Sequence, residues 1–223
     1  LEYKQNKIAF VELFYAWQYL WYVPQDVPSF IDLMGGDKKF TQKLDAFFTL
    51  DAKPEDVNGN ASGFIGQYAH GNEPSHHIVY LYDFTNEPWK AQYYSAKIMK
   101  ELYNDQQSGY SGNEDCGQMS AWYIFSAMGF YPVNPANSLY CFGSPQLKKA
   151  EIHLSNGKKY KMIANNAGEK NIYIQKIVMN GNPYTKNFIT HNDIVSGGII
   201  EFTMGSTPNI KMKNYEKPIL IAK

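Results

Sequence analysis

Two adjacent carboxylates, Glu114 and Asp115, are the residues of this 223-residue sequence best suited to chemistry. They lie within SGNEDCGQMSAWYIFSAMGFYPV at residues 111–133, in a glycine-flanked loop that leads directly into an aromatic helix pattern. Cleavage of a glycosidic bond needs one carboxylic acid to protonate the leaving oxygen and a second carboxylate to deprotonate water or act as nucleophile. The competing interpretation is helix capping, because an acidic residue before a helix satisfies free backbone amides.

A second polar cluster, HGNEPSHH, occupies residues 70–77. Asn72 and Glu73 offer the hard oxygen donors that calcium takes. The histidines also suggest zinc or a general base, but adjacent side chains such as those of His76 and His77 diverge by about 100 degrees on a helix. The pattern therefore favours calcium over zinc. A structural alternative remains, in which the segment is the first turn of a helix around its proline and the histidines are partly buried.

A third cluster, YAWQYLWYVPQD, occupies residues 15–26 and is dominated by aromatic side chains. Such rings can form a wall for the apolar face of a sugar, with Gln18 and Asp26 available to bind hydroxyl groups. Aromatic stripes more often belong to a core, so core packing of most of these rings is the alternative interpretation.

Three helices, each apolar on one side, are predicted to position these clusters. The first is capped by Asp37, the second follows Asn86 and Pro88, and the third begins near Asp115 or Cys116 and ends at a glycine C-cap. The apolar stripes are Phe40, Leu44, Phe47 and Phe48 in the first helix, and Trp89, Tyr93, Ala96, Met99 and Tyr103 in the second.

From residue 134 onward the pattern changes to short runs of Tyr, Ile, Val and Phe separated by turn residues. The runs are predicted as strands at 138–142, 150–154, 159–163, 172–179 and 198–204. The sequence therefore predicts a mainly α chain with C-terminal β structure. Residues 1–133 form the helical part, and residues 134–223 form an antiparallel sheet or part of a sandwich.

Composition narrows the function classes. Aromatic residues make up 16% of the chain, which suits a surface that stacks on rings, and 21 basic residues balance 21 acidic ones. This balance argues against nucleic acid as a partner. The apolar run near the start is too short for a membrane span. The two cysteines, Cys116 and Cys141, lie among small apolar and aromatic neighbours, where free thiols are common, and a disulfide between them is the alternative.

With these motifs in hand, the chain resembles the α-mannosidases of glycoside hydrolase family 92. The resemblance rests on AWQYLWYVPQD, on GNEPSHHIVYLY followed by PWKAQ, and on GNEDCGQMSAWYIFSAMGFYPV, in that order. It implies an N-terminal β-sandwich, an (α/α)6 helical barrel and trailing strands. Because family members are much longer, it also implies that this chain is a C-terminal portion that lacks the β-sandwich domain and contains only part of the barrel.

The resemblance implies exo-hydrolysis of α-mannosides, α-1,2-linked in particular, with inversion and with dependence on Ca2+. Asp115 matches the general base, and Asn113 matches a neighbouring position of the same motif. Asn72, Glu73 and Asp115 match the calcium site, and the substrate contacts implied are Trp17, Asp26, His70 and Glu73. A mannose-containing glycan would be the substrate, and the substrate class implies a secreted or periplasmic protein.

Three positions depart from the family pattern. Asn113 stands where an Asp is frequent, and Gln25 stands where a His is usual. The general acid is expected four residues before Trp17, where this chain has Leu13, and Glu12 lies one position away. Because one position on a helix rotates a side chain by about 100 degrees, Glu12 can serve only after a local shift.

Three hypotheses follow from these residues. In the first, the chain is a catalytic portion of a calcium-dependent inverting α-mannosidase. In the second, it is a catalytically silent fragment that binds carbohydrate and calcium without turnover. In the third, the motifs are only helix caps and core, and calcium does not raise the melting temperature.

Overall fold

The structure is a computed structural model that describes residues 17–51 and 61–219. Glu12, the candidate acid, lies outside the described residues. Helices account for 37% and strands for 25% of the described residues, so the expectation of a mainly α chain is wrong. Part of the β structure that the sequence did not predict is in short strands, because two or three residues are too few to show the alternation of a strand.

Helices concentrate in the first part of the chain. The α-helices are α1 Val27–Leu33, α2 Asp37–Thr49, α3 Trp89–Leu102, α4 Gln118–Met128 and α5 His191–Val195. Short 3-10 helices cover Glu73–Ser75, Ile78–Phe84, Pro135–Asn137 and Ile210–Asn214. The segment Ile78–Phe84 is buried along its whole length and forms the centre against which α3 packs.

Helix α2 buries the predicted stripe of Phe40, Leu44, Phe47 and Phe48, and Asp37 is its first residue after Gly36. Helix α3 differs from its prediction. Its buried face is rotated, because Tyr93 is 41% exposed whereas Tyr94 is buried in the core. The residues of α3 that are buried are Ala91, Gln92, Tyr94, Ser95, Ala96, Ile98 and Met99.

Ten strands form three sheets in the described part of the chain. Strands β1 Phe64–Ile65 and β2 Tyr68–Ala69 make a hairpin before the polar cluster, and β3 Phe130–Tyr131, β4 Leu139–Phe142 and β9 Phe188–Thr190 make an antiparallel sheet in the order β3-β4-β9. The largest sheet has the order β5-β6-β10-β7-β8, with β5 Lys149–His153, β6 Lys159–Asn165, β7 Tyr173–Met179, β8 Asn182–Pro183 and β10 Gly198–Gly205.

The largest sheet is mixed, which corrects the antiparallel prediction. Strand β10 runs parallel to β6 over Gly198–Thr203 and antiparallel to β7 on its other side. The five strands predicted from residue 138 onward are all present within one or two residues of their predicted ends. Alternation of side chains locates a strand in the chain but carries no information about the direction of its partner.

Two hydrophobic cores meet where the helices join the sheets. One core lies among the helices, the other lies between the sheets, and Phe125 contacts both. Buried Gln92 links the two parts, since its Oε1 accepts from the Ile174 backbone amide at 2.8 Å and its Nε2 donates to the Met212 sulfur at 3.4 Å. Strand β3 precedes the proposed boundary at residue 134 and pairs with β4 beyond it. The boundary itself stays a prediction.

In the described segments, none of the helices is both long enough and apolar enough to cross a bilayer.

Candidate active site

The turn that leads into α4 is strained at the residue predicted to be the base. Asp115, Cys116 and Gly117 follow one another with φ angles of 42°, 59° and 86°. A left-handed conformation at a non-glycine residue costs about 1–3 kcal/mol and persists only where the surrounding structure imposes it. Such strain is concentrated at functional sites, and here it presents Asp115 at the exposed N-terminal end of the helix.

Glu114 caps the helix. Its carboxylate accepts from the backbone amide and the hydroxyl of Ser120, both at 2.9 Å. These two hydrogen bonds, backbone first, lower the pKa of Glu114. The capping interpretation is therefore correct for Glu114, whereas the Asp115 carboxylate is left free for another role.

The loops that carry the two polar clusters touch at a pair of glycines. A Cβ on Gly112 would lie 2.5 Å from the carbonyl oxygen of Gly71, and a Cβ on Gly71 would lie 2.1 Å from the Ser62 hydroxyl. Gly112 also has φ +77°, which side chains rarely adopt. Only glycine permits this approach, which brings the residues after Gly71 beside those after Gly112.

This approach makes the carboxyl of Asp115 a neighbour of the carboxyl of Glu73. Burial raises the pKa of Glu73, and the neighbouring Asp115 carboxyl raises it further. Glu73 Oε1 and Asn72 Oδ1 are both buried without a hydrogen-bond partner among the described residues. Buried oxygens of this kind are costly unless something binds them.

Orphaned amide and carboxylate oxygens are the donors that a hard cation takes, so Asn72 and Glu73 fit calcium, and the neighbouring Asp115 offers a further carboxylate. Calcium takes six to eight oxygens, so three side chains would supply only part of its coordination. In the part of the chain that is described, no three His, Cys, Asp or Glu side chains are grouped closely enough to hold a metal on their own. An amide oxygen is thus an essential member of the candidate set.

The His76 side chain connects the two loops by hydrogen bonds. Its Nε2–H donates to the carbonyl oxygen of His70 at 2.9 Å, and its Nδ1 accepts from Gln118 Nε2 at 3.2 Å. The first bond holds the loop just before Gly71, and the second holds the start of α4, three residues after Asp115. Burial lowers the pKa of His76 to about 4, so the ring is neutral, as this pair of hydrogen bonds requires.

His70 is fully buried, and both of its ring nitrogens have partners. Tyr68 and Tyr103 place their hydroxyl oxygens 2.7 Å from Nδ1 and Nε2, and the Tyr103 hydroxyl donates to the Met119 carbonyl. The Trp122 ring packs edge-on at 4.4 Å. Burial lowers the pKa of His70 well below its usual value. Direct contact of His70 with a substrate does not fit this burial, and the residue instead supports the loop.

The aromatic segment divides between core and surface. Trp21 is fully buried against Phe30 and Phe40, and Trp17 stacks on Phe47 with ring centroids 6.1 Å apart. In contrast, Tyr19 and Tyr22 are 65% and 55% exposed. The core interpretation holds for Trp21 and fails for these two tyrosines. Trp17 is partly buried against the core, and the substrate contact predicted for it stays a prediction.

Asp26 is the N-cap of α1, where its carboxylate accepts from the Ser29 amide at 3.1 Å. Hydrogen bonds from the Ser29 side chain and from its backbone amide lower the pKa of Asp26. The structure thus gives Asp26 a capping role alongside the substrate contact predicted for it. Cys116 is exposed and Cys141 is buried, and both thiols are free.

The structure brings together Asn72, Glu73 and Asp115, and leaves Asn113 exposed on the same turn. Sequence reasoning missed the His76–Gln118 hydrogen bond and the contact between Gly71 and Gly112. The available signal was the triplet Gly-Asn-Glu, which begins both loops. A glycine before each polar pair indicates close backbone approach.

Carboxylates and orphaned oxygens on two apposed loops, beside exposed aromatic rings, are features of carbohydrate-active enzymes. The family model for the glycosyl hydrolase family 92 catalytic domain matches residues 2–206. The chain belongs to glycosyl hydrolase family 92, and the resemblance noted from its motifs is confirmed.

Solved structures of the family align closely. The GH92 α-mannosidase BT3965 from Bacteroides thetaiotaomicron, in complex with mannoimidazole, has a TM-score of 0.84 and 43% identity over 88% of this chain and 26% of its own. The GH92 inverting mannosidase BT2199 from Bacteroides thetaiotaomicron VPI-5482 has a TM-score of 0.80 and 39% identity over 91% of this chain and 29% of its own.

A curated relative is described as an uncharacterized secreted glycosidase of Arthroderma benhamiae. It is 31% identical over 192 residues, which are 85% of this chain and 23% of that protein. The chain therefore spans about a quarter of the length of the relatives it matches.

Proposed function

We propose that this chain is part of the catalytic domain of a calcium-dependent glycoside hydrolase that releases terminal mannose from α-mannosides, α-1,2-linked in particular, with inversion. Its helices would form part of an (α/α)6 barrel, completed together with an N-terminal β-sandwich by the rest of the protein. The description of two solved relatives as mannosidases, one of them inverting, supports the substrate and the stereochemistry.

The observation that carries the proposal is the pairing of Glu73 with Asp115 beside orphaned oxygens. Without a ligand, the two carboxylates would repel each other, and the buried Asn72 amide oxygen would lack a hydrogen-bond partner. A purely structural role for these residues explains the cap formed by Glu114. It does not explain the buried Asn72 and Glu73 oxygens or the strained backbone at Asp115.

Each residue then has a role. Asp115 would hold the attacking water and accept its proton, and exposed Asn113 on the same turn would orient that water or a sugar hydroxyl. Glu73 and Asn72 would face the sugar hydroxyls. An inverting reaction needs an acid roughly 6.5–9.5 Å from the base to leave room for water, and Glu12 is the candidate acid.

Asn72, Glu73 and Asp115 would hold calcium, which on binding supplies a positive charge that fixes sugar hydroxyls and favours distortion of the ring. The residues around them would keep that arrangement rigid. His76 and His70 would contribute to this rigidity, because their neutral rings hold the two loops by directed hydrogen bonds. A position outside the cell is proposed from the substrate class and from the description of the curated relative as secreted.

A second candidate function is calcium-dependent binding of mannosides without turnover. It is favoured by Leu13 at the expected position of the acid, because Glu12 would be misdirected by about 100 degrees on a helix. It shares the calcium and substrate contacts of the first candidate.

The two functions are separated by measuring mannose release from an α-1,2-linked mannobiose, with and without EDTA, by the protein that carries this chain and by its Asp115→Asn variant. Asn keeps the left-handed backbone at this position accessible. The proposal expects release that EDTA and Asp115→Asn each reduce at least about hundredfold, the range of a general base. Release that neither treatment changes would contradict it, and calcium-dependent binding without release would favour the second function.

A further inference from the structure

Two cavities lie side by side on the surface and share Tyr123 as a common wall. The first has a volume of about 380 Å³ and the second about 490 Å³, within the usual range of small-ligand sites. Tyr93, Gln146 and Glu169 are among the residues that line the first cavity, and Tyr110 and Gln107 are among those that line the second. We name the two cavities together the Tyr123 groove.

Aromatic rings give the groove its platforms. Tyr93, Tyr110 and Tyr123 are 41%, 37% and 39% exposed, so each ring is held by the protein while part of it faces solvent. Tyr123 packs against Tyr103 with ring centroids 4.8 Å apart, and Tyr103 is itself fixed by its hydrogen bond to Met119. A tyrosine held in this way presents a rigid apolar surface with a polar tip.

The polar groups between the rings differ between the two cavities. The second cavity is lined by the amides of Asn104, Gln106 and Gln107 and by the Ser120 hydroxyl, with Asp105 as the one charged member of its lining. The first cavity has two lysines and two glutamates among its lining residues. Neutral donors and acceptors between aromatic platforms suit a ligand that is rich in hydroxyl groups and carries no net charge.

The second cavity is linked to the loop of the candidate active site through Glu114. Ser120, which lines the second cavity, donates to Glu114, and Glu114 directly precedes Asp115. Asp115 is therefore next in the chain to a side chain that is hydrogen-bonded to the lining of the second cavity.

We infer that the Tyr123 groove is a carbohydrate subsite that binds further sugar units of the same neutral mannose-containing glycan whose terminal mannose reaches Asp115. The inference rests on the proposed function for the identity of the glycan. None of the candidate calcium ligands lines the groove, so we expect binding there to be independent of calcium.

The test measures binding of an α-1,2-linked mannotriose to the full chain by isothermal titration calorimetry in the presence of EDTA. We expect binding that Tyr123→Ala weakens about fivefold or more, the loss typical of one aromatic contact. Gln107→Ala changes an exposed residue that no core packing requires, and we expect it to weaken binding about twofold or more. Leu33→Ala removes an exposed side chain elsewhere and serves as the control, with binding unchanged.

Outcomes separate this inference from the proposed function. Binding that survives EDTA and Asp115→Asn but falls in Tyr123→Ala and Gln107→Ala supports the groove even when mannose release fails. Binding that EDTA or Asp115→Asn abolishes, with no effect of the groove variants, overturns the groove and leaves the proposed function intact. No binding at about 10 mM trisaccharide, or self-association of the chain that Tyr123→Ala abolishes, also overturns it.

Discussion

Replacing His76 tests the reasoning about the buried network most sharply, because one ring holds both loops of the candidate site. His76→Gln keeps an amide donor at the position of Nε2 and removes the acceptor for Gln118. It also removes the only titratable group at that position. We therefore expect two effects: a loss of stability at neutral pH of about 1 kcal/mol, from the loss of one part-buried hydrogen bond of Gln118, and a weaker dependence of stability on acid.

The size of the second effect follows from the pKa of His76. Burial lowers this pKa from 6.5 to about 4 in the folded chain. The unfolded chain therefore binds a proton in a pH range where the folded chain does not, so stability is fully present above pH 6.5 and is lost as the pH falls toward 4. One pH unit is worth about 1.4 kcal/mol, so His76 accounts for a loss of about 2.5 kcal/mol between pH 7.5 and pH 4.5.

The assay is urea unfolding at pH 7.5 and pH 4.5, followed by tryptophan fluorescence, for the wild-type chain, His76→Gln and His191→Gln. His191 is exposed and is the matched control. Buried His70 and His77, together with the carboxylates, are present in all three proteins, so their contributions cancel when the acid losses are compared. The reasoning is refuted if His76→Gln loses as much stability in acid as the wild-type chain, or if it loses more.

Two further perturbations test the glycine contact and a buried carboxyl. In Gly112→Ala the new Cβ would lie 2.5 Å from the Gly71 carbonyl oxygen, so we expect this variant to bind calcium about tenfold or more weakly. Gly157→Ala is the control, because Gly157 has a similar φ of +80° with open space around it, and its calcium affinity should be unchanged. Terbium luminescence measures both affinities, and equal values in the two variants would contradict the contact between Gly71 and Gly112. Asp83 is fully buried with both oxygens unpartnered among the described residues, and burial raises its pKa well above the usual value, so the folded chain retains a proton that the unfolded chain releases above about pH 4. Stability should therefore fall as the pH rises, and Asp83→Asn should raise the melting temperature more at pH 8 than at pH 5. Asp32→Asn changes an exposed carboxyl and is the control. A rise of equal size at both pH values in Asp83→Asn, or the same gain in Asp32→Asn, would contradict this explanation.

Much of the fold was predictable because its longer elements obey simple periods. The stripe of Phe40, Leu44, Phe47 and Phe48 specified α2, and alternation specified the five longer strands after residue 138. In α3 the sequence offered aromatic residues on two faces, Tyr93 and Tyr94, and periodicity could not decide between them. Packing of α3 against the segment Ile78–Phe84 determines which face is buried, because that segment contacts the face that carries Tyr94.

The candidate site was predictable by residue type but not by arrangement. Asn72, Glu73 and Asp115 were identified as oxygen donors from the sequence, yet their apposition depends on Gly71 touching Gly112 across 41 positions of the chain. The parallel pairing of β6 with β10 likewise depends on how the chain crosses between strands, which local patterns do not encode. His70 shows a different difficulty. The sequence predicted a substrate contact for this residue because it lies in a polar motif, whereas in the structure its side chain is fully buried and supports the loop.

The central claim is that Asn72, Glu73 and Asp115 form one calcium site. Its most direct test is the melting temperature of the chain in about 1 mM calcium and in EDTA, for the wild type, Asp115→Asn and the exposed control Asp105→Asn. A ligand at a hundredfold excess over its Kd stabilises the folded state by about 2.7 kcal/mol, which raises the melting temperature by several degrees. The account predicts this rise in the wild type and in Asp105→Asn and its loss in Asp115→Asn; no rise in the wild type, or an equal rise in all three proteins, would contradict it.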